Sequence, residues 1–449
     1  MRIRSKSKNT RPSICFDSLV FEVRLMPFVS NATPSRRRFL QSAGAIGFGG
    51  WAAASGFAAD PPSERIRLGF IGVGNQGTNN LKAFVTKKSA RIAAICDVDR
   101  DRLGKAKTLI DMVTGGHVES YADYRSLLDS KQVDAVVVTT PDHWHALPTI
   151  HACQAGKDVY CEKPLSLFIN EGKAMVAAAR QNQRIVQTGS QQRSDDKFRL
   201  ACELVRSGAL GKIKVVKVGI PRVNFVGPAV ANSAPPAELD YETWLGPAPK
   251  KPYNAKHVHY NFRFFWDYSG GQQTNFGAHH LDIVQWALDM DGRGPHRISA
   301  TATYHKDHWY EVPENYDITY EYEGGVKVLA GQAYPGGVTV EGEKGTLHVT
   351  RGKIKSDPPD ILTVEPTVRL YVSKDHHANW LECIKTRKAP ICDVEIGSSS
   401  ATVCHLGNIA IRTGETIGWD VGRRMVVGVP EAVAMMDRPY RSPWKLPAV

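Results

Sequence analysis

An apolar segment, Ile66 to Ile71, runs straight into Gly72-Val73-Gly74-Asn75-Gln76-Gly77, and a stretch of helical composition, Thr78 to Lys88, follows. Few folds accept strand, glycine turn and helix in that order. Gly72 permits the tight turn, Gly74 lets the main chain approach a pyrophosphate, and Gly77 lets the helix pack close to the sheet. The first amides of the helix, around Asn75 and Gln76, then face the negative charge. A second apolar run, Arg91 to Cys96, ends in Asp97, twenty residues beyond Gly77. A carboxylate there accepts hydrogen bonds from ribose hydroxyls and repels a 2′-phosphate, which favours NAD over NADP. Arg100, three residues on, tempers that preference.

The alternation continues. Asp123 to Ser130 reads as helix, Val133 to Thr139 as a β-branched strand, and Leu147 to Ala155 as helix. Asp158 to Cys161 is the next strand, Glu171 to Gln181 the next helix, and Arg184 to Thr188 a further strand. Strands alternating with helices of this length predict a parallel, doubly wound sheet, with ligands beyond the carboxyl ends of its strands. Two segments fall there: Thr140-Pro141-Asp142-His143-Trp144-His145 and Glu162-Lys163-Pro164. Beyond Gln192 the pattern changes to long alternating strands at 212–218, 297–304, 316–322, 326–333 and 338–349, which predict a mostly antiparallel open sheet with one face covered. Residues 375–386 and 398–413 read as late helices. The expected architecture is α/β: a Rossmann domain over 60–190 and an α+β domain for substrate binding and oligomerisation over 191–449. A length of 449 residues, 42% of them hydrophobic, is enough for both.

Residues 1–59 read as a leader. Thr33-Pro34-Ser35-Arg36-Arg37-Arg38-Phe39-Leu40, followed by a short, glycine-rich apolar stretch and Ala58-Ala59, resembles a twin-arginine export signal. It is too weakly hydrophobic to remain in a bilayer as a spanning helix, so cleavage and a periplasmic destination are expected, with an uncut membrane anchor as the alternative. Met26 would give a leader of ordinary length. This segment also explains the charge. The chain carries 57 Lys and Arg against 45 Asp and Glu, and nine of those bases lie in residues 1–59 against two acids. The remainder has no basic run interleaved with aromatics, so no nucleic-acid partner is expected. Eight cysteines show no C-x-x-C and no zinc spacing, and read as buried thiols. The pairs His143 with His145 and His279 with His280 give no tetrahedral ligand set, so no metal is expected.

The glycine fingerprint with Asp97, Thr140 to His145, Glu162-Lys163-Pro164, and Gly270-Gly271 leading to Gly277-Ala278-His279-His280-Leu281-Asp282 together resemble the Gfo/Idh/MocA family of NAD(P)-dependent oxidoreductases. The resemblance runs from about residue 65 to 415 and implies action on a sugar, cyclitol or related compound. It implies that Lys163 hydrogen-bonds the reacting hydroxyl, that His279 is the second proton-transfer residue, and that His145 belongs to the cofactor pocket. It further implies late helices that return to the nucleotide domain and a homo-oligomer joined through the second sheet. A free lysine is a poor base at neutral pH, so Lys163 must be lowered by burial or a cationic neighbour. Glu162 is expected to orient Lys163. Asp282, one turn beyond His279, is expected to orient its imidazole, which titrates in a useful range without large perturbation.

One position departs from the family. Where many members carry Asp four residues before the histidine, this chain has Asn275, which cannot take a proton, so a Lys, Asp, His relay is not available. Tyr260, Arg263 and Trp266, in an aromatic and partly charged loop, and Arg193, after the last Rossmann strand, are candidates for substrate contact. Three functions compete. The first is an exported oxidoreductase of a sugar, cyclitol or glycoside. The second is a glycoside hydrolase or lyase that oxidises a ring carbon, eliminates the aglycone and returns the hydride to tightly bound NAD. The third is a cofactor-binding protein without turnover.

Overall fold

The computed structural model describes residues 64–449; the expected export signal lies outside them. Six strands, β1 (Ile66–Ile71), β2 (Ala90–Cys96), β3 (Glu119–Tyr121), β4 (Ala135–Val138), β5 (Asp158–Cys161) and β6 (Val186–Thr188), form a sheet in the order β3-β2-β1-β4-β5-β6. Every pair in it is parallel. The chain reverses direction across the sheet between β1 and β4, which opens a crevice at their carboxyl ends. Helices cover both faces, so β4 is a bare Ala-Val-Val-Val run with every residue buried.

The first helix spans Asn75–Val85 and starts three residues earlier than its composition suggests, because Gly74 is extended and ends the turn at once. The helix Arg100–Thr114 and the short β3 were not expected from the sequence. That helix buries only Ala106 and Ile110, too narrow a stripe to show as a period. Its start is nevertheless marked by Asp99, whose carboxylate accepts from the Asp101 and Arg102 amides at 3.0 and 3.1 Å.

A second sheet holds nine strands: β7 (Ile213–Gly219), β8 (Arg297–Thr303), β9 (Asn315–Glu321), β10 (Lys327–Gly331), β11 (Gly337–Gly342), β12 (Gly345–Thr350), β13 (Lys353–Asp357), β14 (Ile417–Asp420) and β15 (Met425–Val427). Their order is β13-β12-β11-β7-β10-β9-β8-β14-β15, and only β7 with β10 is parallel. The expected single strand 338–349 is instead the hairpin β11–β12, with Gly342 paired to Gly345. The buried residues change phase across it, from Val338 and Val340 to Leu347 and Val349. One strand cannot present both pairs on one face.

Helices Asp196–Arg206, Gly277–Ala287 and Val394–Thr413 cover the inner face, where Phe198, Leu281 and Leu406 meet Val216, Ile318 and Val340. The late helices also reach the first sheet. His376–Thr386 sets Trp380 against Phe84 and Tyr160, and Val394–Thr413 sends Val394 and Ala401 into the Rossmann core. Among the described residues no helix is long and apolar enough to cross a membrane.

Candidate active site

A cavity of about 680 Å³ opens at the carboxyl ends of β1, β2, β4 and β5, and the second domain supplies its far wall. On the glycine side the wall is main chain. Gly72 has φ +86°, and a Cβ there would sit 2.8 Å from the Thr139 carbonyl. At Gly77 a Cβ would run into the carbonyl oxygen of Gly72. Asp97 lines the cavity, and its two oxygens accept from the amides of Val73 at 2.8 Å and Asp99 at 3.0 Å. It therefore clamps the turn as well as facing the ligand, and burial raises its pKa against the pull of those amides. Arg100 turns away to the Ala237 carbonyl. The cation over the turn is Arg102, whose guanidinium fills the space beside Gly74.

Thr140 and Pro141 also line the cavity, and the hydroxyl of Thr140 is buried with no partner. His145 lies behind them, with Nδ1 2.7 Å from the Pro164 carbonyl and Nε2 3.0 Å from the Thr140 carbonyl. It braces the β4 loop against the β5 loop. The glycine cradle, the free hydroxyl and the volume fit a dinucleotide.

Glu162 and Lys163 stand at the end of β5. Glu162 is buried, and its carboxylate accepts from Gln76 at 3.1 Å, Asn80 at 3.0 Å and the Lys163 amide at 3.2 Å. It fixes the strand end to the first helix and forms no ion pair with the lysine side chain. The Lys163 ammonium donates instead to Asn275, at 2.8 Å to the side-chain Oδ1 and 3.0 Å to the main-chain oxygen. Asn275 is held in that orientation by donating to Gln272 Oε1 at 2.9 Å. Burial lowers the Lys163 pKa; Glu162 and Asp142 oppose this, while Arg263 and Arg351 reinforce it. His279, on helix Gly277–Ala287, faces the same cavity with its Nδ1 unpartnered.

Residues 202–446 match the family description "Oxidoreductase family, C-terminal alpha/beta domain", and residues 66–190 match "Oxidoreductase family, NAD-binding Rossmann fold". The chain belongs to the Gfo/Idh/MocA family. Among its relatives are a myo-inositol 2-dehydrogenase of Thermotoga maritima, 33% identical over 34% of this chain and 44% of that protein, and an alpha-N-acetylgalactosaminidase of Shewanella oneidensis, 30% identical over 40% of this chain and 44% of that one. The match thus spans less than half the length of these curated relatives. The crystal structure of the WlbA dehydrogenase from Bordetella pertussis, in complex with NADH and UDP-GlcNAcA, superposes with a TM-score of 0.59 at 21% identity, covering 79% of this chain and 99% of that one. It shares the fold.

Within this Gfo/Idh/MocA frame several expected roles change. Asp282 does not touch His279. Its carboxylate accepts from Arg193 Nε at 2.8 Å and from Ser400 Oγ at 2.5 Å, fully buried beneath the helix. The 3.6-residue repeat put the two residues on one side, but Arg193 is the stronger claimant for the charge. Arg193, a candidate for substrate contact, does not line the cavity and is buried between Asp282 and Asp291. Nor does Trp266 line it; that residue packs in the loop's own aromatic cluster beneath Arg412. Tyr260 and Arg263 do line the cavity, the guanidinium stacked 4.1 Å from the phenol ring. His279 does not titrate in the ordinary range. Burial, with the charges of Lys163 and Arg351, holds its pKa well below. Arg351 and Arg102 are cavity residues that the sequence does not mark; Arg351 merely ends an alternating strand.

Proposed function

We propose that this protein oxidises a secondary alcohol of a sugar, cyclitol or glycoside with tightly held NAD, and that Lys163 and His279 handle the protons. The carrying observation is the Lys163 amine, lowered by burial and held by two uncharged oxygens of Asn275, in one cavity with the glycine turn and His279. Bound NAD supplies a hydride acceptor. For Lys163 to take the hydroxyl proton it must first be neutral. A carboxylate at position 275 would favour the ammonium; an amide supplies acceptors without that charge. Neutral His279 is suited to exchange a hydrogen bond or pass the proton on. Gly72, Gly74, Asn75, Gln76, Gly77 and Asp97 would hold the adenosine and phosphate end, with Thr140, Pro141, His145, Glu162 and Lys163 toward the nicotinamide end.

The alpha-N-acetylgalactosaminidase relative, and another in Shewanella pealeana named a glycosyl hydrolase family 109 protein, favour a second reading in which the hydride returns and no net redox occurs. Export by the twin-arginine route supports tight cofactor retention in either case, because folding before export lets the protein carry its NAD out. Self-association through the second sheet completes the proposal.

The test is to purify the full chain from the periplasm, denature it, assay released NAD, and challenge the native protein with free sugars, cyclitols and nitrophenyl glycosides. Reduction of bound NAD by a sugar or cyclitol is expected. Aglycone release without net NADH would favour the second reading, and inertness toward every compound would overturn both.

A further inference from the structure

The reacting end of the cavity gathers three cations on one wall. Three cations act on one another there: Lys163, Arg263 and Arg351, the two arginines both lowering the lysine. The carboxylates that act on the lysine, Glu162 and Asp142, are both engaged in other hydrogen bonds. Glu162 is taken by Gln76, Asn80 and a main-chain amide, and Asp142 is buried and accepts from Ser269 Oγ at 2.5 Å. The position nearest the lysine amine is the neutral Asn275.

Arg351 stands exposed at the rim, over the Phe276 ring and with its Nε 3.2 Å from the Gln192 side-chain oxygen. Arg263 is different. It is withdrawn enough from water that burial lowers its pKa, opposed by Tyr260, on whose ring it stacks, and then by Asp142. Neither guanidinium forms an ion pair with a carboxylate among the described residues. Removing a cation from water without a counter-charge costs stability, so a site that keeps one is built for an anion that arrives with the ligand. The pyrophosphate of a dinucleotide has its own place at the glycine turn and the helix N-terminus, beneath Arg102.

We infer that the substrate is a sugar acid, a polyhydroxylated compound whose carboxylate is received by Arg263, with Arg351 closing from the rim. Guanidinium matches carboxylate in a two-pronged geometry that a hydroxyl cannot reproduce. This inference names the substrate class for the oxidation proposed above, and rests on that reading for the chemistry but not for the binding.

The full chain loaded with NADH is titrated calorimetrically with D-glucuronate, D-galacturonate and D-mannuronate, each against its uncharged amide and parent hexose. At least one acid is expected to bind about ten- to a hundredfold tighter than its amide, the range of a charge-assisted hydrogen bond. Arg263→Gln should abolish that preference, Arg263→Lys should retain part of it, and Arg351→Gln should reduce it. NADH fluorescence reports that each variant keeps its cofactor cleft. Equal binding of every acid and its amide overturns the inference. So does a loss of NADH affinity in Arg263→Gln with the acid preference intact, since the guanidinium would then serve the cofactor phosphates. Neutral sugars that reduce NAD while no acid binds would sink this inference and leave the oxidoreductase standing. Acids that bind but are never oxidised would do the reverse.

Discussion

The two ends of the cavity are made of different material. At the glycine end the wall is main chain, shaped by Gly72 and Gly77 and pinned by the Asp97 carboxylate within one stretch of about 30 residues. At the reacting end it is side chain: Lys163 from just beyond β5, Arg263 from the 3-10 helix His259–Phe264, Asn275 and His279 from two short helical segments, and Arg351 from the β12–β13 turn. A surface of backbone tolerates almost no substitution because its shape is its chemistry. A surface of converging side chains can be retuned one charge at a time, so one fold can serve many substrates.

Four experiments would break or sharpen this contrast. Lys163→Ala should cut turnover by about 10²- to 10⁴-fold, the worth of a positioned proton acceptor, while NADH titration finds dinucleotide affinity within a few-fold. A collapse of affinity instead would mean that the two ends are not separable. Asp282→Ala should cost about 3–5 kcal/mol in chemical denaturation by stranding Arg193 as a buried, half-compensated charge. Were Asp282 an orienter of His279, activity would fall with stability intact. Gly77→Ala should cost about 1–3 kcal/mol of stability or cofactor affinity, since its methyl would run into the Gly72 carbonyl and the Thr139 hydroxyl. The smallest effect is expected at Asn275→Asp. A carboxylate beside the lysine favours the ammonium, so its pKa rises and the acidic limb of the pH–rate profile should move to higher pH by about one unit or more. A shift to lower pH would refute Lys163 as the acceptor.

What could be read from the sequence follows the same division. Strand, glycine turn, helix and Asp97 lie within a short window and each has a local conformational cause, so the nucleotide end was legible. So were Lys163 and His279, through a resemblance covering most of the chain. The partner of Asp282 was not: Arg193 is 89 positions away, and helical spacing offered the nearer but wrong candidate. Trp266 looked like a platform for a sugar ring because aromatic residues give the same signal in a loop's own core as in a binding wall. Arg351 gave no signal, because nothing in a hairpin's residues says which turn will face a site built by another part of the chain. His279 was recognisable as a residue but not as a charge state, which depends on burial and on two cations that only the fold brings near.

The helix Val394–Thr413 gives side chains to the cores of both sheets. A nascent chain that has emerged only to residue 390 therefore owns every glycine, strand and acid of its nucleotide cleft, yet the layer beneath them lacks its last pieces. Capture of the dinucleotide is then an event of the finished polypeptide rather than of synthesis in progress. A stop codon that spares the first 390 positions but removes the helix Val394–Thr413 should still yield a protein unable to keep its coenzyme.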